Sequence, residues 1–118
     1  MTTARVALVT GVSGHVAGAM AERLQVGGYR VRALVRTTSQ ATAAAQHGWL
    51  PVHGDLADPQ SLLRAVAGVA VVVHAAACLG ADRTLAEAVN VAGTRHLAEA
   101  ALHGFGQTLA ALINQARG

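Results

Sequence analysis

The residues best suited to chemistry lie close to the amino terminus. The run Thr10-Gly11-Val12-Ser13-Gly14-His15-Val16-Ala17-Gly18 follows a short apolar segment and opens an amphipathic one. A glycine at position 11 permits a tight turn. A glycine at position 14 lets the backbone approach a pyrophosphate with no Cβ in the way. A helix starting there offers unpaired N–H groups and the positive end of its dipole to an anion. Thr10, Gly11, Ser13, Gly14, His15 and Val16 are therefore the candidate residues of a phosphate cradle. Ala17 stands where close helix–strand packing asks for Gly or Ala.

The elements that would position this cradle follow from periodicity. Arg5 to Thr10 reads as a buried strand, rich in β-branched residues. From Gly14 to Val26 the apolar residues Val16, Met20 and Leu24 recur every four, with Glu22, Arg23 and Gln25 on the other side, which predicts a helix. Gly27 and Gly28 stop it. Arg30 to Val35 is a second strand, Thr38 to His47 an Ala-rich helix, and Leu50 to His53 a third strand. Pro51 has no N–H to donate, so this third strand belongs at a sheet edge. Asp58 and Pro59 read as an N-cap and a first-turn proline opening a helix through Ala67, which Gly68 ends. Val69 to His74 is a fourth strand. Thr84 and Glu87 have capping-box spacing for a helix through about Leu102, and Leu109, Leu112, Ile113 and Ala116 predict one more in the tail.

Strands and helices thus alternate, which predicts an α/β fold: a parallel sheet of about four strands with helices on both faces and right-handed crossovers. The expected strand order is 3-2-1-4, with a ligand at the switch between strands 1 and 4. The expected division is a nucleotide-binding unit over residues 1–104 and a helical tail over 105–118.

Composition narrows the classes. Hydrophobic residues make up 53% of the 118 and charged residues 13%, so a packed core is expected. Aromatics are only 3%, so that core must be Ala, Val and Leu, as in a parallel sheet covered by helices. All nine basic residues are Arg, and they are scattered. With so few aromatics to stack bases, nucleic-acid binding is not expected. The net charge of +3 suits an anionic small ligand. Cys78 is the only cysteine and no His or Cys pair has zinc spacing, which fits a reducing, cytoplasmic setting without a metal. No signal peptide is read at Met1 to Arg5. The uncharged run Ala65 to Ala81 is interrupted by Gly68 and His74 and reads as helix end, turn and strand rather than a membrane span.

Thr10-Gly11-x-x-Gly14-x-x-Ala17 resembles the glycine loop of the extended short-chain dehydrogenase/reductase family, also called the NAD-dependent epimerase/dehydratase family. Three further segments match it in order: Gly54-Asp55-Leu56-Ala57-Asp58 after strand 3, His74-Ala75-Ala76-Ala77 after strand 4, and Asn90-Val91-Ala92-Gly93-Thr94 in the fourth helix. The match covers roughly residues 4–103. The resemblance implies a three-layer Rossmann-like domain that binds a nicotinamide dinucleotide. It implies that Asp55 accepts a hydrogen bond from the adenine amino group and that Leu56 packs on the ring. Ala75 and Ala76 would line the adenosine ribose, and His74 and Asn90 belong to the matching cofactor motifs. Each polar residue also has an ordinary structural use. Asp55 can close a turn, His74 can end a strand, and Asn90 can make a helix-face hydrogen bond.

Arg36 stands after strand 2, where NAD-selective sites place Asp or Glu. A guanidinium there can grip a 2′-phosphate that a carboxylate would repel. NADP is therefore the expected coenzyme, with NAD the alternative and a solvated strand-end Arg36 the plain structural one. The dihydroflavonol-reductase-like branch is the nearest resemblance, implying NADPH-dependent reduction of ketones or aldehydes. Sugar-nucleotide epimerases come next. The family's catalytic Tyr-x-x-x-Lys pair is not found. The chain has no Lys, and its one Tyr, Tyr29, precedes strand 2. The expectation is a truncated, catalytically incomplete member, or a non-catalytic nucleotide-binding module. Its fourth strand would have an open edge that invites homo-oligomerisation.

Overall fold

The computed structural model describes residues 5–12, 14–75 and 83–104, with side chains in the last run described over 92–102. Ser13, Ala76 and the tail expected over 105–118 lie outside the described residues, as does the side chain of Asn90. Four strands and four helices alternate: β1 Val6–Thr10, α1 His15–Val26, β2 Arg30–Val35, α2 Thr38–Gln46, β3 Leu50–His53, α3 Pro59–Ala65, β4 Val71–His74 and α4 Arg83–Gly104. The strands are all parallel, in the order β3-β2-β1-β4. This is the expected Rossmann-like sheet.

Side chains alternate across the central strands, and so do the two cores. Val9, Ala33, Val35 and Val73 face α1 and α2, joined by Ala17, Ala21, Ala44 and Trp49. Leu8 and Val72 face α3 and α4, joined by Leu62, Ala65, Leu97, Ala100 and Ala101. The sheet is therefore apolar on both sides, which is why β1 and β4 read as continuous apolar runs rather than alternating ones.

The packing face of α1 differs from the expected Val16, Met20 and Leu24 stripe. Ala17 and Ala21 are fully buried, Val16 is 43% exposed, and Met20 and Leu24 only flank the core. The helix is turned by one residue, about 100°, because two alanines let it lie close on the sheet. Trp49, the one large aromatic of the core, fills the space beside it. Its indole Nε1 donates to Gln25 Oε1 at 3.1 Å, and the His47 ring stacks on it at 4.5 Å.

Caps account for the element ends. Thr37 and Gln40 form a reciprocal capping box on α2, and the Asp58 side chain accepts from the Gln60 N–H at the start of α3. α3 ends at Ala65, two residues before the expected Ala67, and turns at Gly68 with φ of 73°. The carbonyls this exposes are collected by Arg32 of β2. Its guanidinium reaches Ala65 O at 2.7 Å and Ala67 O at 2.9 Å. β4 then begins at Val71 rather than Val69, and α4 already includes Thr84, so Thr84 is not its cap.

Replacing Arg32 by Met keeps the aliphatic stem and removes both bonds. Hydrogen bonds from a charged donor contribute about 1.5–3 kcal/mol. Urea denaturation of Arg32→Met is expected to show a loss in that range; an unchanged midpoint would remove Arg32 from the account of how α3 is held.

Candidate functional site

Parallel strands deliver every following loop to the same end of the sheet. At that end the chain leaves β1 toward β2 and returns from the other side at β4, so a crevice opens between the β1 and β4 ends. The glycine loop follows β1, Arg36 follows β2, the Gly54–Asp58 segment follows β3 and Ala75 follows β4. The sequence candidates from four separate stretches are therefore brought to one end.

The glycine loop has the form its residues require. Gly11 has φ of 76°, which L side chains rarely adopt, and its carbonyl accepts the Gly14 N–H at 3.0 Å to close the turn. Gly14 is the exposed N-cap of α1. No side chain caps this helix and no acidic residue stands in its first turn. The leading N–H groups of α1 are thus left to solvent or to an anion. These residues fit a pyrophosphate. His15 and Val16 contribute their backbone here. The His15 ring lines an open groove of about 320 Å³ with Glu22, His47 and Trp49, and the Val16 side chain is exposed.

Thr10 does not face a ligand freely. Its Oγ1 is buried, lies 2.6 Å from His74 Nδ1, and accepts the Ala75 N–H at 3.1 Å. His74 is likewise buried, and its Nε2 lies 3.0 Å from Thr94 Oγ1. Both ring nitrogens of His74 are engaged within the protein. The chain Thr10–His74–Thr94 ties β1, β4 and α4 together just beneath the crevice. Burial pushes the His74 imidazole below its ordinary value, so the neutral ring is favoured.

The segment after β3 is held by a second set of bonds. Asp55 Oδ1 accepts the Ala57 N–H at 2.9 Å, which closes an Asx turn and fixes the carboxylate's direction. The other carboxylate oxygen, Oδ2, has no hydrogen bond among the described residues. The Asp55 N–H donates to Ser61 Oγ at 3.0 Å, and the Ser61 hydroxyl lies 2.7 Å from the Asp58 carbonyl. A Cβ at Gly54 would lie 2.8 Å from Leu34 Cδ1 and 3.2 Å from Ser61 Oγ, so a larger residue there would have to displace these side chains. Leu56 is half-buried. Its carbonyl accepts from His96 Nδ1 at 2.7 Å, and its side chain packs on Gly93 of α4.

Arg36 is exposed. Its N–H donates to Gln40 Oε1 at 2.8 Å, while its guanidinium has no partner among the described residues. Ala75 is buried at the end of β4. Tyr29 precedes β2, and its N–H bonds to Leu24 O at the opposite end of the sheet from the loops. Sequence reasoning missed four residues that hold the site: Ser61, Gly93, Thr94 and His96. Gly93 and Thr94 lay inside the Asn90–Thr94 motif, but their partners are distant in sequence.

Comparison with known proteins agrees with this fold. The model of the NAD dependent epimerase/dehydratase family matches residues 7–111. Sterol demethylase protein B of Methylococcus capsulatus is 36% identical over 97 residues, covering 80% of this chain and 30% of that protein. A farnesyl-dihydroquinoline-oxide ketoreductase of Stigmatella aurantiaca is 38% identical over 95 residues, covering 79% of this chain and 28% of its own length. A short-chain dehydrogenase/reductase superfamily protein of Agrobacterium tumefaciens, solved with bound NAD, superposes with a TM-score of 0.71 at 32% identity, over 91% of this chain and 32% of that one. The chain therefore spans about a third of the length of these relatives.

The buried imidazole makes stability pH-dependent. Its folded value lies below 6.5, the value of an unburied ring. Above about pH 6.5 both folded and unfolded rings are neutral, and folding loses nothing. Below it the unfolded chain takes up a proton that the folded chain resists, so stability falls by up to about 1.4 kcal/mol per unit. The urea midpoint is expected to drop between about pH 7.5 and about pH 5.5, and to drop less in His74→Gln. An equal drop in both proteins would show that His74 does not carry this term.

Proposed function

Since the chain belongs to the NAD dependent epimerase/dehydratase family, we propose that it is a dinucleotide-binding domain that takes NADP in the β1–β4 crevice. The observation that carries this reading is the glycine turn at Gly11 and Gly14, which leaves the first N–H groups of α1 without a side-chain cap. The pyrophosphate lies on these amides. The adenine amino group meets Asp55, whose carboxylate keeps one oxygen clear of hydrogen bonds among the described residues. Leu56 packs on the ring and Ala75 borders the ribose, and the family resemblance assigns Ala76 to the ribose and Asn90 to the cofactor as well. His74 and Thr10 act from beneath, through the hydrogen bonds they share.

The preference for NADP rests on Arg36 alone. Its guanidinium is exposed and unpaired among the described residues, at the end of β2 where a 2′-phosphate would arrive. The related Agrobacterium tumefaciens protein was solved with bound NAD, so NADP is proposed for this chain on Arg36 and not on that relative. When bound, the coenzyme supplies a hydride. The reaction class we propose for the family member is reduction of a ketone or aldehyde, which fits the ketoreductase relative. This chain supplies the binding and orientation of the coenzyme. With no Lys and with Tyr29 at the far end of the sheet, it does not carry the family's proton-transfer pair. The binding unit spans residues 1–104, with 105–118 as a tail, in a cytoplasmic protein.

Titration calorimetry tests the reading. NADPH should bind more tightly than NADH, and Arg36→Ala should cost roughly ten- to a hundredfold in NADPH affinity, the value of about 1.5–3 kcal/mol for a charge-assisted contact. Equal binding of the two coenzymes would defeat the NADP assignment. No heat with either would defeat the whole reading. NADPH oxidation with simple aldehydes is expected to stay at background.

The side of β4 away from β1 adds a prediction about assembly. Among the described residues β4 pairs with β1 alone, and its Val72 and Val73 are core residues. A second copy can pair along this edge. Sedimentation is expected to show concentration-dependent dimers. A clean monomer across the concentration range would count against it.

A further inference from the structure

Two loops at the crevice are tied to one turn of α4. Thr94 Oγ1 lies 3.0 Å from His74 Nε2, and His74 Nδ1 lies 2.6 Å from Thr10, the last residue before the glycine loop. In the same turn, His96 Nδ1 donates to the Leu56 carbonyl at 2.7 Å. A carbonyl can only accept, so the His96 proton sits on Nδ1. Gly93 completes the contact. A Cβ there would come within 3.1 Å of Leu56 Cβ, so the helix backbone itself abuts the loop after β3. One tether reaches the glycine loop through β4 and β1. The other reaches the Asp55 loop directly. They leave the helix within a rise of about 3 Å.

We infer that the 93–96 turn of α4 is a positioning element that fixes the spacing between the glycine loop and the 54–58 loop. The inference rests on the dinucleotide reading above, in which these loops take the pyrophosphate and the adenine. A dinucleotide has a limited span between those two groups. Two loops that wander independently must be ordered on binding, at a cost in affinity. Anchoring both to one rigid helical turn removes much of that cost before the ligand arrives. Thr94 and His96 do not touch the ligand in this scheme. They act through His74, Thr10 and Leu56. The helix is suited to the task because its own face is locked into the core by Leu97, Ala100 and Ala101, one turn further on.

Amide hydrogen exchange on the full chain, without ligand, tests the tethers directly. Thr94→Val removes the hydroxyl at nearly constant volume, and Thr94→Ser keeps it. His96→Phe removes the donor to Leu56. Thr94→Val is expected to raise exchange about tenfold or more over residues 10–17, with β2 and α2 unchanged. Thr94→Ser should restore wild-type exchange, and His96→Phe should raise exchange over residues 54–58. A uniform rise across the chain would mean a general structural role and would overturn the inference, as would unchanged exchange in both loops. Titration with NADPH forms the second arm. Each of Thr94→Val and His96→Phe should weaken binding by about fivefold or more. Wild-type affinity in variants with loosened loops would also overturn it. A wild-type chain that binds neither NADPH nor NADH sinks the dinucleotide reading instead, and the exchange data still decide the tethers.

Discussion

All four strands run the same way, and that single constraint organises the molecule. A parallel sheet cannot be joined by hairpins, so each strand must be followed by a helix that carries the chain back. Such crossovers are right-handed as a rule, and the chain covers one face with α1 and α2 and the other with α3 and α4. Every loop that leaves a strand then lands on one rim. The site is a by-product of this traffic. Four segments far apart in sequence meet because the sheet has no other place to put them. The crevice falls where consecutive connections diverge, between β1 and β4.

Beneath that gap lies a polar network that an apolar core tolerates only when complete. Thr10, His74 and Thr94 are buried or half-buried, and each makes hydrogen bonds. Among the described residues no buried side-chain polar atom lacks a partner. In a low-dielectric setting such bonds strengthen, and a missing partner is correspondingly costly. The network joins three elements that apolar contacts alone would allow to slide. Specific hydrogen bonds set the register of β4 and α4 against the glycine loop where Val and Ala contacts cannot.

The sequence made some of this legible and hid the rest for physical reasons. Alternation of apolar runs and helical periodicity, with handedness, was enough for the order β3-β2-β1-β4 and for Pro51 at an edge. Local chemistry was readable too: Asp58 with Pro59 at a helix start, and the Gly11 turn. The face of α1 was misjudged because a pattern of large residues outweighs small ones on paper, whereas close packing prefers Ala17 and Ala21. The end of α3 comes early, and the carbonyls exposed there are collected by Arg32, a residue of another strand that no local spacing foretells. The tethers were invisible for a related reason. His74 and Thr94 are 20 residues apart, and Leu56 and His96 are 40 apart. No local spacing encodes such a pair until the fold brings its members together.

The two rims of the sheet are unlike. The Gly54 N–H bonds to Val35 O, and by the alternation of a parallel ladder the Leu50 and Val52 amides also point toward β2. Pro51 therefore turns its missing donor outward, to the side where a further strand would have to attach. The β4 rim carries no proline. A further strand is thus disfavoured at the β3 rim, where Pro51 withholds a donor, while the described residues of β4 withhold none. If two copies pair through β4 as proposed, the outer limit of each is a strand whose proline withholds one donor, which disfavours a further strand there.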